Sequence, residues 1–356
     1  MKNINTRQLL VYVLVAVMAL GTVFTYFPRC ASDNSGAKQP QTNQPTPVVI
    51  VAPPFNADSA YNNVQKQVDF GPRVPGTEAH KKCADWLAAE FKRHGLTVIT
   101  QPFTANFYFG KRQAYNIIGQ YKPELPNRIL LCAHWDSRHI ADKDSNNKDK
   151  PILGADDGGS GVGVLLEIAR LLKDNPVNIG VDFVLFDAED LGDDTDPVGD
   201  ASPSVMADDP NNKSNTWCLG SQYWAKNPHK PGYKAQFGIL LDMVGAIGAK
   251  FPLEGYSYAN APQAQQRIWA IAQELGYDEL FLNQLSGGIT DDHLPVMREL
   301  KFPVVDIINL PGNDQNIFGS YHHTHADNMS IISRETLGAV GKVVSEVVYR
   351  TGKPVQ

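Results

Sequence analysis

Residues 183–190 read Phe-Val-Leu-Phe-Asp-Ala-Glu-Asp, an apolar run that ends in acidic side chains. Four consecutive large apolar residues are typical of a strand that is buried on both faces. Open α/β sheets bind ligands at the carboxyl ends of their strands, and Glu189 and Asp190 follow such an end. The pair suggests that one carboxylate holds a metal while its neighbour moves protons. Taken alone, it is better explained as a solvated acidic turn.

Acidic and histidine residues also stand at the ends of other predicted strands and at the start of a predicted helix. They are His134 and Asp136 after the run 129–133, Asp156 and Asp157 before the stretch 162–172, Asp242 after 237–241, Asp291, Asp292 and His293 after 289–290, and His322, His323 and His325 within 321–325. Each has an ordinary explanation by itself, as a core histidine, a helix cap or a polar loop. Together they favour a catalytic zinc site, because zinc binds histidine nitrogen and carboxylate oxygen and leaves one position open.

Apolar runs alternate with amphipathic stretches, which predicts the fold class α/β. We expect a single globular domain with a central mixed, mostly parallel twisted sheet flanked by helices on both faces. The predicted strands are 97–108, 113–121, 128–134, 180–187, 236–242 and 303–308. The predicted helices are 57–68, 77–94, 160–173, 219–226, 262–275 and 334–350. The first two strands, which Gly110 and Lys111 separate, should form an antiparallel hairpin.

The N-terminal region predicts export. Two basic residues precede an apolar run over 9–27, so 1–30 is predicted to be a signal peptide or a signal anchor. Residues 31–54 are rich in Gln, Pro, Asn, Thr and Ser and are predicted to be a flexible polar linker. The remainder, 55–356, is predicted to form the catalytic domain. We expect a periplasmic protein that the N-terminal segment tethers to the membrane, with cleavage of that segment as the alternative.

Composition limits the possible partners and ligands. The formal net charge is −6, which gives no support for nucleic-acid binding. Hydrophobic residues make up 42% of the chain and charged residues 20%, as is ordinary for a globular protein. The four cysteines are irregularly spaced without a Cys-x-x-Cys pair, so thiolate metal binding is not expected. Cys83 and Cys132 are predicted to be buried free thiols.

The motifs together resemble the co-catalytic zinc aminopeptidase superfamily and its glutaminyl cyclase branch, over residues 57 to 352. In chain order they are His134-x-Asp136, Gly-Ala-Asp-Asp-x-x-Ser-Gly at 154–161, Glu189-Asp190, Leu-Asp-Met at 241–243, Asp292-His293 and His323-Thr-x-x-Asp327. The resemblance implies one of two reactions. The aminopeptidases use two zinc ions to remove N-terminal residues. The cyclases hold one zinc and convert an N-terminal Gln to pyroglutamate, releasing ammonia.

Three segments resemble the cyclases more than the aminopeptidases. They are Asp-Asp-His-Leu-Pro at 291–295, Phe-Gly-Pro-Arg-Val-Pro-Gly-Thr at 70–77, and Leu-Asp-Met-Val-Gly-Ala at 241–246 followed by Phe-Pro at 251–252. The chain departs from the animal cyclases at four places. It has Asp190 where they have Glu, His322 where they have an aromatic residue, Asp306 where they have His, and a longer segment between Asp190 and Trp217.

The resemblance implies a role for each candidate residue. Asp157, Asp190 and His323 would bind one Zn²⁺ per chain, and Glu189 would be the general base and acid. Asp291, with Asp242 behind it, would share hydrogen bonds with Glu189 and tune its pKa by like-charge proximity.

Four further residues surround these. His134 would support the zinc ligands or bind a second metal, and Thr290, His322 and Trp217 would line the substrate pocket. The expected partners are peptides or proteins with an N-terminal Gln. The alternatives are a two-zinc aminopeptidase, for which His134 and Asp242 are intact, and a non-catalytic scaffold of the cell envelope.

Overall fold

A computed structural model describes residues 52–193, 216–312 and 317–352. Its strands are β1 (Thr97–Phe107), β2 (Gly110–Tyr121), β3 (Arg128–His134), β4 (Gly180–Phe186), β5 (Gly238–Asp242), β6 (Phe251–Leu253), β7 (Phe281–Leu285) and β8 (Val304–Ile308). Its α-helices are α1 (Ala57–Val68), α2 (Glu78–Arg93), α3 (Gly159–Asp174), α4 (Leu219–Lys226), α5 (Gly255–Asn260), α6 (Pro262–Glu274), α7 (His293–Leu300) and α8 (Arg334–Gly352).

Six strands form one mixed sheet in the order β1-β2-β4-β3-β5-β8. Strands β4, β3, β5 and β8 are mutually parallel, whereas β1 and β2 form a hairpin that pairs antiparallel with β4. Because the four parallel strands run in one direction, their carboxyl ends lie along the same edge of the sheet. Strands β6 and β7 form a separate parallel pair.

The sheet is covered on both faces, as the sequence predicts. Successive residues of a strand point to opposite faces, so Leu131 and Phe183 join the larger core cluster with α1, α2, α3, α6 and α8. Their neighbours Cys132 and Val184 join a smaller cluster that includes residues of α4 and α7. Burial on both faces explains why the central strands are apolar without alternation.

The predicted α/β class, its six strands and its six helices are confirmed, with small differences at the ends. The position of the hairpin turn was predicted wrongly. Tyr108 and Phe109 form the turn, while Gly110 already pairs with Phe107 in the sheet. The sequence places the turn at Gly110 and Lys111, but both residues already belong to the second strand and pair with the first.

The sequence did not predict β6, β7, α5 or α7. Each is short, and α5 depends on a cap that periodicity does not reveal. The buried Glu254 carboxylate accepts the backbone N–H groups of Tyr256 and Ser257 at 2.8 and 2.6 Å. Such contacts satisfy amide groups that the first turn of a helix leaves unpaired.

Most of the predicted signal segment and linker lie outside the described residues, as do residues 194–215. In the part of the chain that is described, no helix combines the length and apolar character needed to cross a bilayer. Cys83, Cys132 and Cys218 are buried free thiols, which confirms the prediction for the first two.

Candidate active site

The candidate site residues meet at the carboxyl edge of the parallel strands. His134 is the last residue of β3, Asp242 is the last residue of β5, and Glu189 and Asp190 follow β4 closely. Asp157 lies in the turn that leads into α3. The structure therefore brings together residues that are far apart in the chain, at the edge where open α/β sheets bind ligands.

The three predicted zinc ligands form one buried group. His323 Nε2 lies 3.0 Å from Asp190 Oδ1 and 3.9 Å from Asp157 Oδ2. The three residues are no more than 4% exposed. Within the described part of the chain, Asp190 Oδ2 is buried without a hydrogen-bond partner, which is unusual for a buried carboxylate. Two carboxylates, one imidazole and an unpartnered oxygen fit a zinc ion.

A second group shares Asp157 with the first. His134 Nε2 lies 3.0 Å from Asp157 Oδ1 and 3.3 Å from Asp242 Oδ1. One ligand atom from each of His134, Asp157 and Asp242 lies within 4.8 Å of the other two. The two oxygens of Asp157 thus face different histidines, His134 and His323, which is the arrangement of a carboxylate between two metal positions.

Only glycine fits at position 158, where the backbone after Asp157 packs against His134. A Cβ atom at Gly158 would lie 2.5 Å from both Nε2 and the carbonyl oxygen of His134. These distances are too short for any side chain, so the glycine allows the close approach of His134 to Asp157.

Two buried carboxylates that received no role from the sequence hold the backbone of the site. Asp136 accepts the N–H groups of both Glu189 and Asp190, each at 3.1 Å. Asp327 does the same for residues 156 and 157, at 2.8 and 3.2 Å. Asp136 belongs to the motif that begins at His134, and Asp327 belongs to the motif that begins at His323. These contacts give each of the two acids a structural role at the site.

Left-handed backbone occurs at non-glycine residues in or beside the site. The φ angles are 60° at Ala188, 49° at Met243 and 58° at His323. Such conformations cost on the order of 1–3 kcal/mol each and concentrate at functional sites, where they aim neighbouring side chains. Here they turn the chain next to Glu189 and Asp242 and at His323 itself.

Burial and like charge dominate the electrostatics. Burial raises the pKa of Glu189 well above its usual value, and nearby carboxylates, Asp291 first among them, raise it further. Burial likewise raises the pKa of Asp242, to about 8. Burial would raise the pKa of Asp157, but hydrogen bonding to His134 outweighs this effect and holds that pKa below its usual range. The predicted like-charge effect of Asp291 on Glu189 has the same direction as this shift and stays a prediction, and burial is the larger cause.

The hydrogen bond to Glu189 comes from a residue that the sequence did not indicate. Cys218 Sγ donates to Glu189 Oε1 at 3.2 Å. Atoms of Glu189, Cys218 and Asp291 lie within 4.8 Å of one another, so Asp291 is close by. The predicted hydrogen bond between the Glu189 and Asp291 carboxylates is not among those of the described residues.

Two of the three predicted pocket residues flank His323. The His322 ring stacks on the His323 ring with centroids 3.7 Å apart, and the Trp217 ring is parallel to it at 6.0 Å. Burial lowers the pKa of His322 well below its usual value, so this imidazole is neutral. Thr290 is half-buried and precedes Asp291 in the chain.

A further buried group contains Asp291's neighbour His293. His293 Nε2 lies 3.4 Å from Glu254 Oε2, and its Nδ1 lies 3.9 Å from Asp306 Oδ2. Burial, followed by the charge of Asp291, raises the pKa of Asp306 well above its usual value. Asp306, one of the four places at which the sequence departs from the animal cyclases, thus interacts electrostatically with Asp291.

His323 has an outer partner that is expected to set metal affinity. Asp142 Oδ1 lies 3.6 Å from His323 Nδ1, and Arg138 donates to the two Asp142 oxygens at 2.7 and 2.9 Å. Carboxylates that orient a ligating imidazole typically contribute roughly 10–100-fold to metal affinity. We therefore expect Asp142→Asn to weaken zinc binding by roughly this factor, measured by competition with a chromogenic chelator.

The control for this variant is Asp144→Asn. Asp144 lies in the same loop but accepts from the backbone N–H of His325 at 2.9 Å. The Asp144→Asn variant should therefore bind zinc with the affinity of the wild-type protein. Equal affinities for the two variants would show that Asp142 does not orient the ligand.

Comparison with known proteins assigns the family. The model of a family described as "Peptidase family M28" matches residues 116–348, more than half of the chain. The chain belongs to peptidase family M28. It is therefore an enzyme of this superfamily, and the resemblance noted from the motifs is confirmed.

Two solved structures and one curated protein are similar to this chain over most of its length. A glutaminyl cyclase from Tannerella forsythia is 51% identical, with a TM-score of 0.76 over 83% of this chain and 99% of that one. A Zn-dependent exopeptidase from Parabacteroides distasonis is 48% identical, with a TM-score of 0.77 over 84% and 99%. Aminopeptidase YwaD of Bacillus subtilis is 26% identical over 82% of this chain, but the match spans 56% of that protein's length.

Proposed function

We propose that the chain is a glutaminyl-peptide cyclotransferase that acts on peptides or proteins with an N-terminal Gln. One observation carries the proposal. The half-buried Glu189 stands beside the buried Asp190, so the residue proposed to transfer protons adjoins a proposed metal ligand at one strand end. Identity of 45–51% with three bacterial glutaminyl cyclases over more than four fifths of the chain supports it.

The reaction joins the α-amine of the substrate to its own γ-carboxamide carbon. When bound by Asp157, Asp190 and His323, zinc would act as a Lewis acid on the carboxamide oxygen. Glu189 takes a proton from the attacking amine and returns it to the leaving nitrogen, so ammonia departs as the lactam forms. The reaction is intramolecular, so holding the substrate in a near-attack geometry contributes much of the rate.

The raised pKa of Glu189 suits this double role. A group accepts and then returns a proton most efficiently when its pKa lies near the working pH. Burial and the charges of Asp291 and Asp190 raise the pKa of Glu189 in that direction. Asp190, which is fully buried, is less able to reach a substrate and is better placed to hold the metal.

The proposal predicts about one zinc per chain, measured by metal analysis after dialysis. The first group is the better suited to a metal. Among the described residues, Asp190 Oδ2 is a buried carboxylate oxygen without a hydrogen-bond partner. In the second group, His134 Nε2 already contacts Asp157 Oδ1 at 3.0 Å and Asp242 Oδ1 at 3.3 Å. Two tightly held zinc ions would contradict the single-metal assignment.

The second candidate function is that of a two-zinc aminopeptidase. The complete set of His134, Asp157 and Asp242 favours it. The test offers the purified protein a Gln-led peptide and a Leu-led chromogenic amide. We expect ammonia release from the peptide, lost after chelation and restored by zinc. Liberation of leucine without ammonia release would establish the aminopeptidase instead.

We further propose that residues 9–27 direct export and hold the protein at the membrane. The apolar run and its basic flank support this. Cell fractionation of the full chain and of a variant lacking 2–27 tests it. The full chain should fractionate with the membrane and the shortened one should stay inside the cell. Equal distribution of the two would reject the proposal.

A further inference from the structure

The Cys218 thiol contacts Glu189, the acid expected to act on the substrate, and lies close to a second acid, Asp291. Its Sγ donates to Glu189 Oε1 at 3.2 Å, and Asp291 completes a group whose atoms lie within 4.8 Å. Cys218 has no solvent exposure, whereas Glu189 is partly exposed. The thiol therefore contacts the acid from the protein side and leaves its outer side for substrate.

The backbone fixes this contact from both sides. Cys218 N–H donates to the Glu189 carbonyl at 3.1 Å, and the next residue, Leu219, donates to the Ala188 carbonyl at 3.0 Å. Cys218 and Ala188 both have left-handed backbone, with φ of 54° and 60°. Two neighbouring non-glycine residues in a costly conformation indicate that the surrounding structure holds this pairing firmly.

The start of α4 also packs closely against the turn that carries Glu189. A Cβ atom at Gly220 would lie 2.2 Å from the carbonyl oxygen of Asp187. Glycine therefore lets the beginning of the helix pack directly against the start of the 187–189 turn. The segment that carries Cys218 thus packs closely against the segment that carries Glu189.

The thiol remains a hydrogen-bond donor at neutral pH. Burial raises the pKa of Cys218 well above its usual value, and the charge of Glu189 raises it further. A thiol protonated in this way can donate to a carboxylate but is a poor nucleophile. A thiolate at this position would also face repulsion from two carboxylates.

We propose that Cys218 is a positioning residue that holds the Glu189 carboxylate in the orientation used for proton transfer. The inference rests on the proposed cyclase function. A glutamate side chain has three rotatable bonds, and a hydrogen bond to one oxygen restricts the carboxylate while the other oxygen remains available. Because the thiol acts through Glu189, its loss should lower kcat and change KM little.

The test compares Cys218→Ala and Cys218→Ser with Cys83→Ala. Cys83 is an equally buried free thiol in α2, so its truncation removes the same atom from the core and leaves the hydrogen bond from Cys218 to Glu189 intact. We expect Cys218→Ala to lower kcat by roughly 3- to 10-fold, as for loss of one hydrogen bond. Cys218→Ser, whose hydroxyl also donates, should recover most of it. Cys83→Ala should keep the wild-type kcat even if its thermal midpoint falls.

Three results would overturn the inference. The first is a wild-type kcat for Cys218→Ala, and the second is equal damage from Ala and Ser at position 218. The third is loss of zinc from Cys218→Ala, which would make the thiol a metal ligand. Failure of the wild-type protein to release ammonia from Gln-led peptides would instead reject the proposed function, so the two failures are distinguishable.

Discussion

Replacing Glu189 by glutamine is expected to lower kcat for cyclisation by roughly 10²–10⁴-fold, the usual contribution of a general acid–base group. The amide has nearly the same size, so it preserves packing, but it cannot accept a proton from the attacking amine. Zinc content should be unchanged, because Glu189 lies beside the ligand group and not within it. Steady-state ammonia release together with metal analysis measures both quantities.

The control for this variant is Glu90→Gln. Glu90 pairs with Arg93 on α2, so the change removes one negative charge without touching the site. It should have wild-type kcat. Near-normal cyclisation by Glu189→Gln would show that another group carries the proton, and Asp291 would be the next to test.

Replacing His323 by alanine is expected to abolish zinc binding and activity together. His323 Nε2 contacts Asp190 and faces Asp157, so the change removes one of the three proposed ligands. Affinity should fall by more than the roughly 10–100-fold that loss of an outer partner causes. Metal analysis of the dialysed variant and its rate of ammonia release check the two effects.

The adjacent His322 supplies a sharp comparison. Its Nε2 also lies 3.9 Å from Asp157 Oδ2, and Asp157, His322 and His323 form a group of possible ligands. Its other nitrogen contacts Lys143 Nζ at 2.9 Å, however. We expect His322→Ala to keep zinc and to raise KM, in line with a pocket role. If His322→Ala lost zinc while His323→Ala kept it, the ligand assignment would move by one residue.

The sequence predicts the sheet and the candidate site for one physical reason. Central parallel strands are buried on both faces, so they appear as apolar runs with clear ends. Residues such as His134, Asp190 and Asp242 follow those ends. Parallel strands end at the same edge of a sheet, so residues at the ends of predicted strands are expected to lie close together even before a structure is known.

The contacts that hold the site in place are much harder to predict. Asp136 and Asp327 act on backbone N–H groups of loops, and Cys218 reaches Glu189 through left-handed turns. Such contacts depend on loop dihedral angles, which hydrophobic periodicity does not encode. A carboxylate that binds backbone and one that binds metal have the same side chain, so spacing alone does not separate them.

The most direct test of the central claim is a competition between two peptides that differ only at their first residue, Gln or Leu. Both are incubated with one preparation of known zinc content and followed by mass spectrometry. The account predicts that the Gln peptide loses the mass of one ammonia while the Leu peptide stays intact. Removal of the leucine with an unchanged Gln peptide would contradict it.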